Sequence, residues 1–577
     1  MAGIDPVLLA VLKGRLEQIA DEMDATLFRS AFNPIIAEAH DASHGLYHAE
    51  TGETLVQGKS GLPVFVGAMS FAVKTVIDKA KVENLILQPG DVFIFNDPYE
   101  GGTHLSDFKL VRPFFRDGKI FCYLASVGHW HDVGGNVPGN YNPVATECYQ
   151  EGMLIPPVRL YREGELQDDI VAILQSNSRL PSSLYGDLNG QVSALELGED
   201  RLNSLLDEYG DGLVLDVMAE LKASAAALME SYISELPDGT YSAEDWLDND
   251  GIIDEPLKIG LSITIDGGRM TLDFSGTSLA CDGPVNISRS TCIASCYVAL
   301  KHLFREVPAN AGVLVPINFV ITEDSLLSVS RPKPVGGYTE TILRVIDVIF
   351  IVMSKIAPER TNGCAYGTIN ALSMAGHRKN GARWVMFSFF GGGHGGHPEG
   401  DGLNHGNAPI STATIPPMEI LEAAYPVRFT QWALRPDSGG PGKHRGGLGA
   451  VYEIELLEEK ADAFLFGERG KFPPGGVSSG GDGAMTTFSY PDVDGRSNPP
   501  MVSKMVGIRL NQGQYVRLET PGGGGYGDVD ERDPAVVAED VRLGYITPEA
   551  ARDTYKCVIG DDGELEETAT NDLRSGA

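Results

Sequence analysis

Apolar residues recur at helical spacing along the first part of the chain. One face of this segment carries Val7, Leu8, Val11, Leu12, Leu16, Ile19 and Met23. Spacing of three and four residues is typical of an amphipathic helix. Asp5 followed by Pro6 supplies the N-cap and the first-turn proline with which a helix begins. The pattern therefore predicts an opening helix whose apolar face packs against the body of the protein.

The pattern then changes to short strands. The stretch His40 to Leu55 alternates like a hairpin that turns at Glu50-Thr51-Gly52. A helix is predicted over Phe65 to Lys81. Val92 to Phe95 is an apolar run with a turn signal on each side, which indicates a buried strand, and Ile120 to Val127 indicates a second strand.

Later segments mix both patterns, so the expected class is α+β, with several mixed sheets, a helical insertion and a β-rich C-terminal half. Three consecutive domains are expected. Residues 1–237 form an N-terminal α/β region with a helical segment at 165–236. Residues 238–410 form a central α+β domain with a glycine-rich loop, and residues 411–577 form a β-rich domain with a closing helix and a frayed tail.

The composition and net charge of the chain argue against several classes of function. The 577 residues include 79 acidic and 45 basic side chains, for a formal net charge of -34. Such a charge argues against binding to nucleic acid or to an anionic membrane surface. The seven cysteines include no CxxC pair, which disfavours a disulfide framework or a thiolate zinc site. The N-terminus resembles neither a signal peptide nor a membrane span, so we expect a cytoplasmic protein.

Candidate metal ligands follow the two central strands. His104 and Asp107 lie on the loop that leaves the first strand, and His129, His131 and Asp132 come just past the end of the second. If these strands are neighbours, His104, Asp107 and His129 meet at one point. Imidazole and carboxylate ligands suit zinc, manganese or iron with one position open for chemistry. The alternative is a hydrogen-bonded turn without metal.

A glycine cluster offers a second candidate site. The stretch Phe387 to Gly402 contains Gly392, Gly393, His394 and His397. Glycines let a backbone approach a ligand closely, and consecutive N–H groups form anion-binding concavities. These four residues are therefore candidates for binding substrate or phosphate. The alternative is a tight structural loop packed against another backbone.

Two motifs carry a resemblance to a known family. NDPYEGGTHLSD at residues 96–107 and GHWHDVGG at 128–135 resemble the signature of the hydantoinase B family. That family includes the B subunits of ATP-dependent hydantoinases, 5-oxoprolinases and caprolactamase, and the large subunits of acetone and acetophenone carboxylases. The resemblance implies that His104, Asp107 and His129 bind a divalent metal. It adds Asp41, in EAHDASHGLYHAETGE, as a further acidic ligand.

The resemblance also implies a reaction. A partner subunit resembling hydantoinase A would bind ATP and magnesium and phosphorylate a lactam, hydantoin or 5-oxoproline, in an α2β2 hetero-tetramer. This chain would open the ring of the phosphorylated substrate with a metal-activated water. His131 and Asp132 would orient a metal ligand or the water, and the glycine loop would hold phosphate or the lactam.

Two alternatives remain open. The chain could belong to an ATP-dependent ketone carboxylase, in which bicarbonate or carbon dioxide meets a carbon nucleophile. It could also be a structural subunit whose metal only stabilises the fold, which a closed four-ligand site would favour. The second glycine-rich stretch, Asp437 to Gly449, has His444 where a P-loop needs Ser or Thr, so ATP is not expected in a P-loop of this chain.

Overall fold

The computed structural model describes residues 4–411, 415–560 and 562–575. The helices are α1 (Pro6–Ser30), α2 (Pro34–Ala37), α3 (Pro63–Val82), α4 (Asp168–Ser176), α5 (Pro181–Tyr209), α6 (Asp211–Ser234), α7 (Arg289–Leu303), α8 (Tyr338–Met353), α9 (Met418–Ala424), α10 (Pro534–Arg542), α11 (Pro548–Asp553) and α12 (Glu567–Ser575).

The strands of the first half are β1 (Ala42–His48), β2 (Thr54–Gln57), β3 (Val92–Phe95), β4 (Asp107–Arg116), β5 (Lys119–His129), β6 (Val158–Arg162), β7 (Glu165–Leu166), β8 (Gly239–Leu247), β9 (Leu257–Asp266) and β10 (Arg269–Asp273). Those of the second half are β11 (Ile317–Val320), β12 (Ala371–His377), β13 (Arg383–Ser388), β14 (Val427–Leu434), β15 (Ala450–Leu456), β16 (Lys460–Phe466), β17 (Thr487–Asp492), β18 (Gly495–Ser497), β19 (Lys504–Asn511) and β20 (Tyr515–Glu519). Helices combined with antiparallel and mixed sheets confirm the α+β class.

Contacts divide the chain into two compact units, each assembled from segments that are not consecutive. Unit 1 comprises residues 1–240, 262–342 and 410–416, and unit 2 comprises residues 241–261, 343–409 and 417–577. The three consecutive domains expected from the sequence stay a prediction.

The central sheet of unit 1 holds the two strands on which the candidate ligands were predicted. Its seven strands run in the order β2-β1-β5-β4-β3-β6-β7, and each neighbouring pair is antiparallel. The predicted hairpin at 40–55 is β1 and β2, and the predicted helical segment is α4, α5 and α6. Alternating side chains of such a sheet point to opposite faces, so each strand offers one face to the helices that pack on it.

The structure confirms the predicted opening helix, α1, but its apolar face is buried only from Leu12 onward, because Val7 and Val11 in the first turns are exposed. Asp5 caps α1, because its Oδ1 accepts hydrogen bonds from the N–H of Val7 at 2.7 Å and of Leu8 at 3.2 Å. Leu12 and Leu16 are completely buried, and α1 packs against α5 and β1. Burial of an apolar stripe of this kind is the main source of helix stability in a folded protein.

The β-rich C-terminal half is also confirmed. Unit 2 contains a sheet in the order β13-β12-β16-β19 and another in the order β14-β15-β20-β17-β18. Their strands share a core that includes Leu372, Tyr452, Leu465 and Leu518. A further four-stranded sheet, β11-β10-β9-β8, contains the parallel pair of β10 with β11.

The prediction of a frayed tail was wrong for residues 562–575. This segment contains α12, and Thr570 is buried with its Oγ1 accepting a hydrogen bond from the N–H of Val558 at 2.9 Å. Arg574 donates to the carbonyl of Tyr555 at 3.1 Å. The acidic composition of residues 562–575 gave no sign of these contacts, because they form with residues of an earlier segment. Across the described parts of the chain, no helix is both long and apolar enough to cross a membrane.

Candidate metal centre

Strand pairing brings the candidate ligands together in unit 1. β4 begins at Asp107, β5 ends at His129, and these two residues are direct partners in the antiparallel register. His104 lies on the loop before β4, where its carbonyl accepts a hydrogen bond from the N–H of Asp107 at 3.2 Å. The predicted convergence of the three residues at one point is therefore confirmed.

The three side chains form a compact buried cluster. His104 Nε2 lies 3.2 Å from His129 Nδ1 and 3.2 Å from Asp107 Oδ1, and His129 Nδ1 lies 3.4 Å from that same oxygen. One ligand atom from each residue falls within 4.8 Å of the others, and all three residues are buried. Two imidazoles and one carboxylate at this spacing are a suitable ligand set for zinc, manganese or iron.

The hydrogen bonding of Asp107 fits a metal. Its Oδ2 accepts a hydrogen bond from the Thr103 hydroxyl. Its Oδ1 is buried and accepts no hydrogen bond from any residue that the structure describes, although both imidazoles face it. Because a buried carboxylate oxygen normally has a partner, this oxygen is placed as a metal ligand would be.

The electrostatics of the cluster favour an ionised Asp107. Burial alone would raise its pKa, but the nearby charges of His104 and His129 lower that pKa far below the usual value. Asp41 behaves differently. Burial raises the pKa of Asp41 to about 7, an effect that His129 opposes and Asp107 strengthens. A metal ion at this point would stabilise the charged form of both carboxylates.

Asp41 lies at the edge of the cluster. Its Oδ2 is 3.8 Å from His129 Nδ1, and its carbonyl accepts a hydrogen bond from the N–H of His129 at 3.0 Å. The backbone contact fixes Asp41 beside the end of β5. Its predicted role as a fourth ligand stays a prediction.

The two predicted catalytic residues follow β5. Burial lowers the pKa of His131 to about 4, with Asp132 opposing the shift and His129 adding to it. Asp132 pairs with Arg179, whose Nη1 lies 3.0 Å from its Oδ2, and it accepts the N–H of Arg179 at 2.9 Å and of Gly134 at 3.2 Å. These contacts hold the loop after β5, and the catalytic roles of His131 and Asp132 stay predictions.

The predicted substrate-binding loop belongs to unit 2. There Gly393 donates to the carbonyl of Pro521 at 3.0 Å, and His397 donates to that of Gly400 at 3.0 Å. A Cβ on Gly393 would collide with the backbone of Gly447, and the His394 ring contacts the carbonyl of Asn407. Gly392 exchanges two hydrogen bonds with Gly406, at 3.0 and 2.7 Å. Close backbone packing accounts for these glycines, and substrate binding by Gly392, Gly393, His394 and His397 stays a prediction.

Sequence reasoning missed three side chains around the cluster. The rings of Tyr338 and Tyr141 lie 4.7 and 5.6 Å from that of His104, measured between centroids. Lys109 lies two residues after Asp107 on β4, and burial lowers its pKa to about 8 against the charge of Asp107. Tyr141 lies on a loop and Tyr338 is the first residue of α8, both outside the motifs that suggested metal ligands. Lys109 lies in an apolar strand, so no local signal marked these three residues.

A second polar cluster involves His44, on β1. Its Nδ1 lies 2.7 Å from Asp24 Oδ1, and its Nε2 lies 2.9 Å from the Ser126 hydroxyl. This order of groups resembles a catalytic triad. However, all three residues are completely buried, and Gln191 also donates to the Ser126 hydroxyl at 3.2 Å. The cluster therefore connects α1, β1, β5 and α5 inside the core, where substrate has no access.

Comparisons with known proteins agree with this geometry. The model of the hydantoinase B/oxoprolinase family matches residues 5–529. The caprolactamase subunit beta of Pseudomonas jessenii is 31% identical, over 100% of both chains. The crystal structure of the ATP-dependent caprolactamase from that organism matches with a TM-score of 0.90 and 30% identity, covering 99% of this chain and 100% of that one.

A nucleotide-free structure of acetone carboxylase has the same fold. It matches with a TM-score of 0.90 but only 20% identity, covering 99% of this chain and 83% of that one. The family model spans most of the chain, including both motifs and the His104, Asp107 and His129 cluster. The chain belongs to the hydantoinase B/oxoprolinase family.

Proposed function

We propose that this chain is the B-type subunit of an ATP-dependent cyclic amide hydrolase. An A-type partner would use ATP and magnesium to phosphorylate a lactam, hydantoin or 5-oxoproline, and this chain would open the ring. The observation that carries the proposal is the buried cluster of His104, Asp107 and His129. The match to a caprolactamase structure along the whole chain supports a lactam-type substrate.

The residues of this chain would prepare the site for a divalent metal, with zinc expected and manganese or iron as alternatives. His104, Asp107 and His129 would hold it, with Asp41 as a fourth ligand. Thr103 donates to one oxygen of Asp107 and so leaves the other directed at the imidazoles. A divalent metal would supply a hydroxide nucleophile at neutral pH, because it lowers the pKa of bound water to about 7.

Other side chains would shape the site around that nucleophile. Tyr141 and Tyr338 lie against the His104 ring, where they limit the access of bulk water. His131 and Asp132 would orient a ligand or the water. Phosphorylation of the amide oxygen would make the carbonyl carbon more electrophilic. Addition of water there would be followed by breakage of the ring C–N bond, with a proton taken up by the nitrogen, and the acyl phosphate that remains would be hydrolysed to a carboxylate and phosphate. We place the complex in the cytoplasm, where ATP is available, as an α2β2 hetero-tetramer.

The test is a coupled assay with a co-purified A-type partner. ATP consumption and ring-opened product are followed for a panel of cyclic amides and small ketones, with labelled bicarbonate present. We expect ring-opened amino acid without label. Label retained in a new carboxylate would instead establish the ketone carboxylase.

The metal ligands are tested in the same assay. His104→Ala should abolish ring opening and lower the bound metal measured by mass spectrometry of the purified protein. His48→Ala is the matched control, because His48 lies on the same sheet and contacts the turn at Thr51. Full activity of His104→Ala would contradict the proposed centre, and metal retained without any turnover would favour a structural subunit.

A further inference from the structure

Lys109 occupies an unusual position for a lysine. It lies on β4, where its direct partner in the register is Phe95, at the end of β3. Asp107 is two residues earlier on the same strand, so both side chains belong to the same face of the sheet. Only 1% of Lys109 is exposed to solvent. A lysine is rarely buried to this extent unless its charge is paired.

Among the residues that the structure describes, the ammonium group has no such pairing. Lys109 Nζ is buried and forms no hydrogen bond with any described residue. It lies 5.7 Å from the centre of the Phe95 ring. Asp107, the carboxylate nearest in sequence, already accepts from Thr103 and faces two imidazoles. A buried cation in these surroundings is destabilising unless an anion binds to it.

The loop that carries His104 lies directly on this ammonium. A Cβ added at Gly102 would collide with Lys109 Nζ and would also approach the carbonyl of Asp97 at 2.5 Å. Glycine at 102 therefore gives the lysine the space to extend under the loop. Gly102, which lies next to the ammonium, and His104 belong to the same short segment.

We propose that Lys109 binds the phosphoryl group of the activated substrate beside the His104, Asp107 and His129 cluster. The class of anion rests on the proposed function, in which the substrate arrives phosphorylated. The Cα atoms of Asp107 and Lys109, two residues apart on one strand, are separated by ~7 Å. A phosphoryl group beside this strand would direct one oxygen at the ammonium and another at the cluster. Lys109 then holds the phosphoryl group in place while the ring is opened at the adjacent carbonyl carbon.

Inorganic phosphate is the probe, and calorimetry of the purified, metal-loaded protein is the measurement. We expect the wild-type protein to bind phosphate and Lys109→Met to bind it at least about tenfold more weakly, the usual cost of losing one charge-assisted hydrogen bond. Metal content should stay unchanged. Lys119→Met is the matched control, since Lys119 is an exposed lysine at the start of β5, and should bind phosphate like the wild type.

Gly102→Ala provides a second variant in case Lys109→Met does not fold. Its methyl group would displace the ammonium without changing any charge, and it should weaken phosphate binding with metal retained. Equal phosphate affinity in the wild type and in either folded variant would overturn the proposal, as would a wild-type protein that binds no phosphate. The measurement needs neither partner, ATP nor lactam. Failure of the ring-opening assay is therefore distinguishable from failure of this inference.

Discussion

Thr103 determines which oxygen of Asp107 faces the two imidazoles. Its hydroxyl donates to Oδ2 and leaves Oδ1 toward His104 and His129. Groups that orient metal ligands in this way typically contribute ten- to a hundredfold to metal affinity. Thr103→Val should therefore bind zinc about ten- to a hundredfold more weakly in a competition titration with a chelator. Thr103→Ser keeps the hydroxyl and should bind zinc normally, and equal affinity of all three proteins would contradict this role.

Glu151 should make stability depend on pH. It is buried, and burial raises its pKa to about 8, although the N–H groups of Val335 and Gly336 donate to its carboxylate at 3.0 and 2.6 Å and oppose the shift. The folded protein therefore keeps a proton on Glu151 that the unfolded chain loses near pH 4. Stability due to this group is complete below about pH 4 and falls as the pH rises toward 8.

Glu151→Gln removes that titration. Between pH 5 and 8, the free energy of unfolding of the variant relative to the wild type should increase by about 1.4 kcal/mol per pH unit. Urea unfolding curves at four pH values measure this slope. The absolute difference at one pH also reflects the hydrogen bonds lost with the carboxylate, so only the slope is diagnostic. A difference independent of pH would show that Glu151 is ionised in the folded protein.

At the scale of elements, the glycine segments of unit 2 are stabilised by backbone contacts. Hydrogen bonds join Gly396 to Gly524 and Gly440 to Gly523, both at 2.8 Å. Gly393→Ala should lower the free energy of unfolding by about 2–3 kcal/mol, because its Cβ would overlap the backbone of Gly447. Urea unfolding followed by circular dichroism measures the change.

Gly14→Ala is the control for that substitution. Gly14 lies in α1 with no atom within 4 Å of an added Cβ. Replacing it should stabilise the protein by up to about 1 kcal/mol, since alanine favours the helix. If Gly393→Ala instead unfolded like the wild type and lost only substrate binding, the loop would be a substrate site rather than a structural contact.

At the scale of the whole molecule, the net charge of -34 should oppose folding at low ionic strength. Like charges repel more strongly in the compact state, and salt screens them. We expect the Tm to rise by a few degrees between about 20 and 200 mM sodium chloride, measured by calorimetry. Sucrose at equal osmolality controls for solvent exclusion. A Tm that falls with salt would mean that favourable ion pairs outweigh the repulsion.

The sequence by itself determined the elements and the main candidate ligand residues. Helical periodicity and the Asp5 cap specify α1, and the apolar run Val92 to Phe95 specifies β3, because these patterns depend on neighbouring residues. The motif residues His104, Asp107 and His129 were recognisable for the same reason. The sequence also predicted that these three residues converge, because each lies at or next to the end of a predicted strand.

The remaining features of the fold and of the candidate site depend on the tertiary structure alone. The register that sets Asp107 opposite His129, the Tyr338 ring against His104, and the burial of Lys109 under Gly102 all depend on contacts between segments distant in sequence. The same holds for the two units, each built from separate stretches of chain. Local patterns record which face of an element is apolar, but they do not record which distant residue will pack against it.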